Sequence, residues 1–355
     1  MTKEKLAKLR GMGLVFDEVF DEMAKNRDEF NEDWAKKKKE QEKLKVLQIE
    51  GPFYNSDFKP SFVSKERQYY YLASLNQKVT QENIKEIKWA VSYDSDGVDK
   101  TFYLFSGGKI QNGKVRVDIQ ISKGDSGFKI YAYTDKISSR NGYVECFYKK
   151  VIVFFIGGAG DKEKFAGQGP SGIMKDVNKD FDKIYGNNKQ YITNYLGYNE
   201  VYGEDRINNN VIPSISNKEG TEVFIVGHSL GGWNGAHLSK KLKQKGYSVE
   251  LLITLDPVGV RGGTQDVADI YRGYPMPLTR FWINIYTNPA KNEIDDYVAG
   301  LGGQWKPNNN NLTFFLESQL HHGEASGMLN EFIKNAGASA YTFLVNQISY
   351  YLFLP

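Results

Sequence analysis

The hexapeptide Gly227-His228-Ser229-Leu230-Gly231-Gly232 constrains this chain more than any other stretch. The apolar run Val223-Phe224-Ile225-Val226 precedes it and reads as a buried strand, and Trp233-Asn234-Gly235-Ala236-His237-Leu238 follows as the start of a helix. A G-x-S-x-G between a strand and a helix is the context of a nucleophile elbow. The serine stands on a sharp, strained turn with its hydroxyl exposed. The flanking glycines let strand and helix crowd together, because they carry no Cβ. The helix N-terminus beneath the serine stabilises negative charge that develops there.

A serine is a weak nucleophile until a base and an orienter of that base stand beside it. In a strand–elbow–helix architecture the acid follows the serine in the chain and the histidine follows the acid. Asp256 ends the apolar run Leu251-Leu252-Ile253-Thr254-Leu255 and precedes Pro257, so it falls at the C-terminal end of a strand, where ligand sites of parallel sheets gather. It is the expected acid, with Asp295 and Asp296 in reserve in a loop after a later strand. The chain has four histidines. His228 lies within the elbow and is expected to point away from the base position, and His237 lies in the following helix; both precede Asp256. His321 and His322, adjacent and followed by Gly323, remain as candidates for the base, and position in the chain does not choose between them. Two backbone N–H groups must face the developing oxyanion. Leu230, after the nucleophile, offers one; Gly158 or Ala159, in the run Gly157-Gly158-Ala159-Gly160-Asp161, offers the other.

The organisation along the chain follows from changes of period. Residues 1–48 are rich in Lys and Glu and helical in pattern, a charged arm whose plain reading is a solvated helix and whose alternative is a docking or membrane-surface element. Residues 49–150 form the second unit. In it, from about residue 80, Val115, Val117, Ile119 and Ile121 alternate with polar residues, and the runs 130–134 and 143–148 follow, with Asn112-Gly113 and Asp125-Ser126-Gly127 as turns. Short strands at this spacing predict a small antiparallel β-sandwich, immunoglobulin-like, acting as a binding or delivery module. From 151 the runs become continuous: 151–156, 223–226, 247–255 and 281–286 read as strands covered on both faces, alternating with helices at 173–185 (Ser171 as N-cap) and 232–245. Residues 151–355 are therefore predicted to be an α/β domain with a mostly parallel sheet.

These motifs resemble the α/β-hydrolases of the lipase and esterase type. Gly227 to Gly232, Leu255-Asp256-Pro257 and His321-His322-Gly323 carry the resemblance. It implies acyl-ester hydrolysis through an acyl-enzyme on Ser229, Asp256 and His322, since a histidine followed by a small residue is the family's usual base segment. It implies no cofactor. Acyl transfer or thioester cleavage would use the same triad, and a binding protein with a degenerate hydrolase domain is the non-catalytic alternative. The strands that precede the oxyanion loop in the full hydrolase fold are not evident, so the sheet is minimal or residues 49–80 contribute to it. A β-rich module ahead of a compact lipase-like domain also resembles bacterial type VI secretion lipase effectors. That resemblance implies a phospholipid substrate, membrane-surface contact, and a secretion apparatus and an immunity protein as partners.

Composition excludes other classes. A chain of 355 residues with 40% hydrophobic and 25% charged residues has a globular balance. A net charge of +3 and the absence of an arginine cluster argue against nucleic acid. The first 20 residues lack the apolar core of a signal peptide, so a soluble protein made in the cytoplasm is expected, with any export by a specialised secretion system. No His/Cys spacing suits a metal. Cys146 stands alone in an alternating run and is read as structural. The match of Gly167–Gly172 to G-x-G-x-x-G contains Pro170 and does not follow a strand directly, so it is not read as a dinucleotide site. Residues 308–311 read as a loop tip over the site. The C-terminal apolar run reads as a core-packing end in preference to a membrane contact, and it and the 274–278 segment are also compatible with apolar surface around a cleft.

Overall fold

The computed structural model describes residues 4, 17–54, 58–65, 67–95, 98–124, 126–137, 142–164, 169–215, 217–308 and 311–353. Most of residues 1–16 of the arm, Asp125, Gly167 and Gln168 of the glycine motif, and the Asn309–Asn310 tip lie outside them. Among the described residues no helix is long and apolar enough to cross a membrane.

Helix α1 (Asp17–Glu42) carries the charged arm. Strand β1 (Val46–Phe53) begins inside the stretch assigned to that arm, because Val46 and Ile49 are buried in the next unit's core. Seven more strands follow: β2 (Gln68–Leu75), β3 (Lys88–Ser95), β4 (Val98–Ser106), β5 (Lys109–Gln111), β6 (Lys114–Gln120), β7 (Gly127–Tyr133) and β8 (Val144–Phe147). They form two four-stranded antiparallel sheets, ordered β1-β2-β6-β5 and β4-β3-β7-β8. Alternation explains the packing: Val115, Val117 and Ile119 of β6 point inward, where they share one core with Trp89 and Val91 of β3 and Ile130 of β7. The Asn112-Gly113 turn has φ of 49° and 74°, as a two-residue hairpin between β5 and β6 requires. Cys146 is buried against the Tyr71 hydroxyl at 3.5 Å, and burial pushes its thiol up to about 12, so it stays protonated. The described residues of 49–80 supply strands β1 and β2 to these sheets and none to the parallel sheet, which corrects that expectation.

A third sheet has six strands, all parallel: β9 (Lys150–Gly157), β10 (Tyr191–Gly197), β11 (Thr221–His228), β12 (Ser248–Leu255), β13 (Phe281–Thr287) and β14 (Phe314–Ser318). Their order is β10-β9-β11-β12-β13-β14. Successive residues of β9 serve opposite faces. Val151, Val153 and Phe155 meet helices α2 (Ile173–Tyr185), α6 (Ala325–Asn330) and α7 (Ala340–Phe353), whereas Ile152, Phe154 and Ile156 meet α3 (Leu230–Gln244). That is why residues 151–156 of β9 are apolar without a break. Two short helices, α4 (Gly262–Val267) and α5 (Ile294–Gly302), follow the C-terminal ends of β12 and β13.

Two local expectations need correction, and a third, the core-packing C-terminal end, holds without its cleft reading. Gly172 with φ of 70°, and not Ser171, is the N-cap of α2; the orphan N–H of Met174 is accepted by the Asp161 carboxylate at 3.0 Å. The 274–278 segment does not line the cleft described below: it is a loop with Tyr274, Met276 and Leu278 exposed. The C-terminal run is a helix whose Leu344, Ile348 and Leu352 pack into the core, so it is not part of the cleft either.

Candidate active site

The chain runs from β9 through α2 to β10 on one side, then returns to β11 on the other side of β9. Connections that leave neighbouring strands in opposite directions open a crevice at the strands' C-terminal ends. The loop after β9 and the turn after β11 stand there, and they carry Gly158 and Ser229.

Ser229 has φ of 56° and ψ of −127°, a region that side-chain-bearing residues rarely occupy. A residue held there costs about 1–3 kcal/mol, which the surrounding fold must offset. The bonds that hold it are local and tight. The Ser229 N–H donates to the Leu255 carbonyl at 3.0 Å, and the Ser229 carbonyl accepts from Gly232 and Val258 at 2.9 and 3.1 Å. Helix α3 crosses the end of β9 so closely that a Cβ on Gly231 would stand 2.3 Å from the Ile156 carbonyl oxygen. A Cβ on Gly158 would stand 2.6 Å from the Ser229 Cβ and 3.0 Å from its Oγ, so the β9 loop passes directly beside the hydroxyl. Leu230 is the first residue of α3, and its N–H has no acceptor within the helix.

Of the two adjacent histidines, His322 is the one that meets Asp256. Its Nδ1 lies 2.6 Å from Asp256 Oδ2, and both side chains are buried. Asp256 itself has φ of 40° at the end of β12. Burial would raise its carboxyl, but the bond to His322 and its charge, the Thr287 N–H at 3.0 Å and the Gln304 amide at 2.8 Å together hold it below the usual carboxylate range. It therefore stays ionised and acceptor-only, and His322 Nδ1 must donate to it. Thr287 and Gln304 were not singled out by sequence reasoning. Thr287 directly follows the apolar run of β13, and that place at a strand's C-terminal end is the one signal that could have found it; Gln304 gave none.

His228 does not point clear of His322. Its ring centroid lies 4.7 Å from that of His322, and its Nε2 stands 2.7 Å from the His322 carbonyl oxygen. A carbonyl only accepts, so Nε2 carries the proton. Burial, with His322 nearby, lowers His228 to about 3. The ring next to His322 is thus neutral and adds no charge beside it. His237, in α3, packs against Trp233 and Tyr271 and does not line the cavity described below.

Asp295 and Asp296 are not in a loop. They occupy the first turn of α5 and bind the segment that carries the two histidines. Asp296 Oδ1 accepts the His322 N–H at 2.8 Å, and its Oδ2 lies 2.7 Å from His321 Nδ1; Asp295 Oδ2 accepts the Gly323 N–H at 2.6 Å. The bond to Asp296 raises His321 above the ordinary histidine value.

A cavity of about 980 Å³ brings these groups together. Ser229, Leu230, Gly158, Ala159, His321 and His322 line it, with Val258, Val267, Ile294, Val298 and Leu301 as an apolar wall. Asp256 stands behind His322, outside the lining. Residues 308 and 311, flanking the expected loop tip, do not line it. The wall comes instead from α4 and α5, which sequence reasoning did not single out. Asp161 also lines it; burial raises its carboxyl against the opposing pull of the Met174 N–H and the Tyr195 hydroxyl. Among the described residues no group of three or more His, Cys, Asp or Glu side chains is arranged to hold a metal ion.

No family model matches the chain, and no curated protein matches it. Among solved structures it has a likeness to the chitinase ChiW from Paenibacillus sp. str. FPU-7, a bacterial cell-surface-expressed multi-modular enzyme, at 10% identity and a TM-score of 0.25. That match covers 76% of this chain and 29% of the chitinase chain, so this chain spans less than a third of it. The CS-b5R domains of human Ncb5or match at 8% identity and a TM-score of 0.11, over 70% of this chain and 62% of that chain. Likenesses this distant carry no argument about fold or function.

Proposed function

We propose that the chain is a serine hydrolase of the α/β-hydrolase type that cleaves carboxylic esters of lipids. One observation carries the reading: an ionised, fully buried Asp256 holds His322 at 2.6 Å, and His322 shares a cavity with a serine on a strained elbow. Structural roles explain a buried Asp–His pair, and they explain a tight glycine turn, but not both opening into one apolar cavity. The strand order β10-β9-β11-β12-β13-β14, with the serine after β11, supports the reading, since the elbow then stands at the switch point of the sheet.

In this mechanism the Ser229 hydroxyl attacks the ester carbonyl and His322 takes its proton through Nε2. Asp256 stays ionised, fixes the tautomer and stabilises the imidazolium. The N–H of Leu230 and one from Gly158 or Ala159 hold the oxyanion, in a site where fixed donors act more strongly than water does. His322 then protonates the leaving alcohol, leaving an acyl-enzyme. Water, deprotonated by His322, releases the acid and regenerates Ser229. The neutral His228 lets the imidazolium form without a second positive charge beside it. The apolar wall of α4 and α5 suits an acyl chain, and phospholipid is the first substrate class to try. The antiparallel module has strand orders 1-2-6-5 and 4-3-7-8, those of an immunoglobulin-type sandwich with one added strand, and is read as an accessory module.

Mixed phospholipid liposomes are the test, with released products read by mass spectrometry. Fatty acid plus lysophospholipid is expected from the wild type, falling at least about 10³-fold in Ser229→Ala. Turnover retained in the variant, or failure of a fluorophosphonate to label Ser229, would overturn the reading.

A further inference from the structure

The helix that walls the cavity is also the helix that holds the histidine. Ile294, Val298 and Leu301 of α5 line the cavity. One turn carries Asp295 and Asp296, whose carboxylates take three donors from the segment 321–323: the His322 N–H, the His321 ring Nδ1 and the Gly323 N–H. Asp296 Oδ2 also accepts the Glu293 N–H at 2.7 Å, closing the first turn of α5. Asp296 is nearly buried, so its bonds are charge-assisted and little exposed to water. Gly323 makes the approach of Asp295 possible, since a Cβ there would stand 2.6 Å from Asp295 Oδ2. Asp256 fixes the ring of His322, but nothing in the Asp256 contacts fixes its backbone; the Asp296 bond and the His228 bond to the His322 carbonyl do.

The geometry points to Asp296, supported by Asp295, as a positioning residue that holds the backbone of His322 in register with Asp256 and Ser229, so that the wall of the acyl cavity and the base form one rigid unit. The inference rests on the reading of His322 as the base. It differs from a plain helix cap in what it predicts. A cap lost from α5 would lower stability and leave the His322 ring where it is. A positioning residue lost would shift the ring, and a misplacement near 1 Å costs about 10²-fold in rate.

The experiment uses the full chain with Asp296→Ala and Asp296→Asn, a soluble nitrophenyl ester as substrate, and the downfield imidazole N–H proton of the His322–Asp256 pair followed by NMR. In Asp296→Ala, kcat is expected to fall about 10²-fold with KM within about twofold, and the downfield proton to broaden or vanish. Asp296→Asn keeps an oxygen for the His322 N–H and is expected to restore most of both. If Asp296→Ala does not fold, Gly323→Ala breaks the clamp from the other side and is expected to give the same pair of losses. An unmoved proton with unchanged kcat in a folded variant would overturn the inference. Should the wild type neither hydrolyse esters nor label with a fluorophosphonate, the proposed function fails; a proton that still depends on Asp296 would then uphold the positioning role by itself.

Discussion

At the scale of single residues, the site is a set of close approaches that tolerate little change. Gly158 runs so near Ser229 that a methyl group would meet both Cβ and Oγ. Gly158→Ala is expected to leave folding cooperative and to lower kcat by about 10²-fold, because it displaces an oxyanion donor or the nucleophile itself; steady-state kinetics beside a thermal melt would check it, and unchanged kcat would remove the loop from the oxyanion site. His228 makes a prediction about pH. It stays neutral in the folded state down to about 3, whereas in the unfolded chain it takes a proton below ~6.5. The unfolded state then binds more protons, so stability is complete above ~6.5 and declines as pH falls toward about 3. The decline should be on the order of 1 kcal/mol per pH unit from this group. Urea midpoints of wild type and His228→Asn across that window would show it as a shallower slope in the variant; parallel slopes would mean the ring is not the source.

At the scale of elements, each strand end delivers one part. The β11 turn presents Ser229, the β9 loop presents Gly158, the β12 end presents Asp256, and the segment after β14 presents His322. Helix α5 supplies apolar side chains to the cavity and carboxylates to the His321–Gly323 segment. Its Ile294, Val298 and Leu301 are largely exposed, as is Val267 of α4, so the wall is apolar surface with no protein cover among the described residues. Val298→Asp is expected to lower kcat/KM for long-chain esters about tenfold, in line with the ~1–3 kcal/mol that a small apolar contact contributes to discrimination, and to spare butyrate esters. Equal losses on both chain lengths would show that α5 does not seat the acyl chain.

At the scale of the whole molecule, two kinds of core coexist. The antiparallel sheets close on one core that contains Trp89, and the parallel sheet has a core on each face. None of the cavity-lining residues belongs to the antiparallel sheets. Trp89→Ala should therefore destabilise the sandwich by ~3–5 kcal/mol, while fluorophosphonate labelling of Ser229 persists at temperatures below that transition. Calorimetry read beside gel-based labelling would test this, and labelling lost in step with the sandwich would show that the two are energetically one unit.

The features legible in the sequence were those with a short range. Alternation in 115–121 announced a strand with one buried face, unbroken apolar runs at 151–156 and 223–226 announced strands buried on both, and glycines around Ser229 announced a turn too tight for side chains. Each depends on neighbours within about one turn or one strand, where the period of the backbone sets which residues share a face. The pairing of His322 with Asp256, 66 residues away, depends on the order in which strands lie side by side, and no local period encodes that. The same holds for Asp295 and Asp296, which read in sequence as reserve candidates and instead grip the histidine segment, and for Thr287 and Gln304, which hold Asp256. Local sequence determined which elements form and where the strained turn at Ser229 lies. Tertiary structure decided which carboxylate meets which imidazole, because strand order and the packing of α5 bring together residues that the chain keeps far apart.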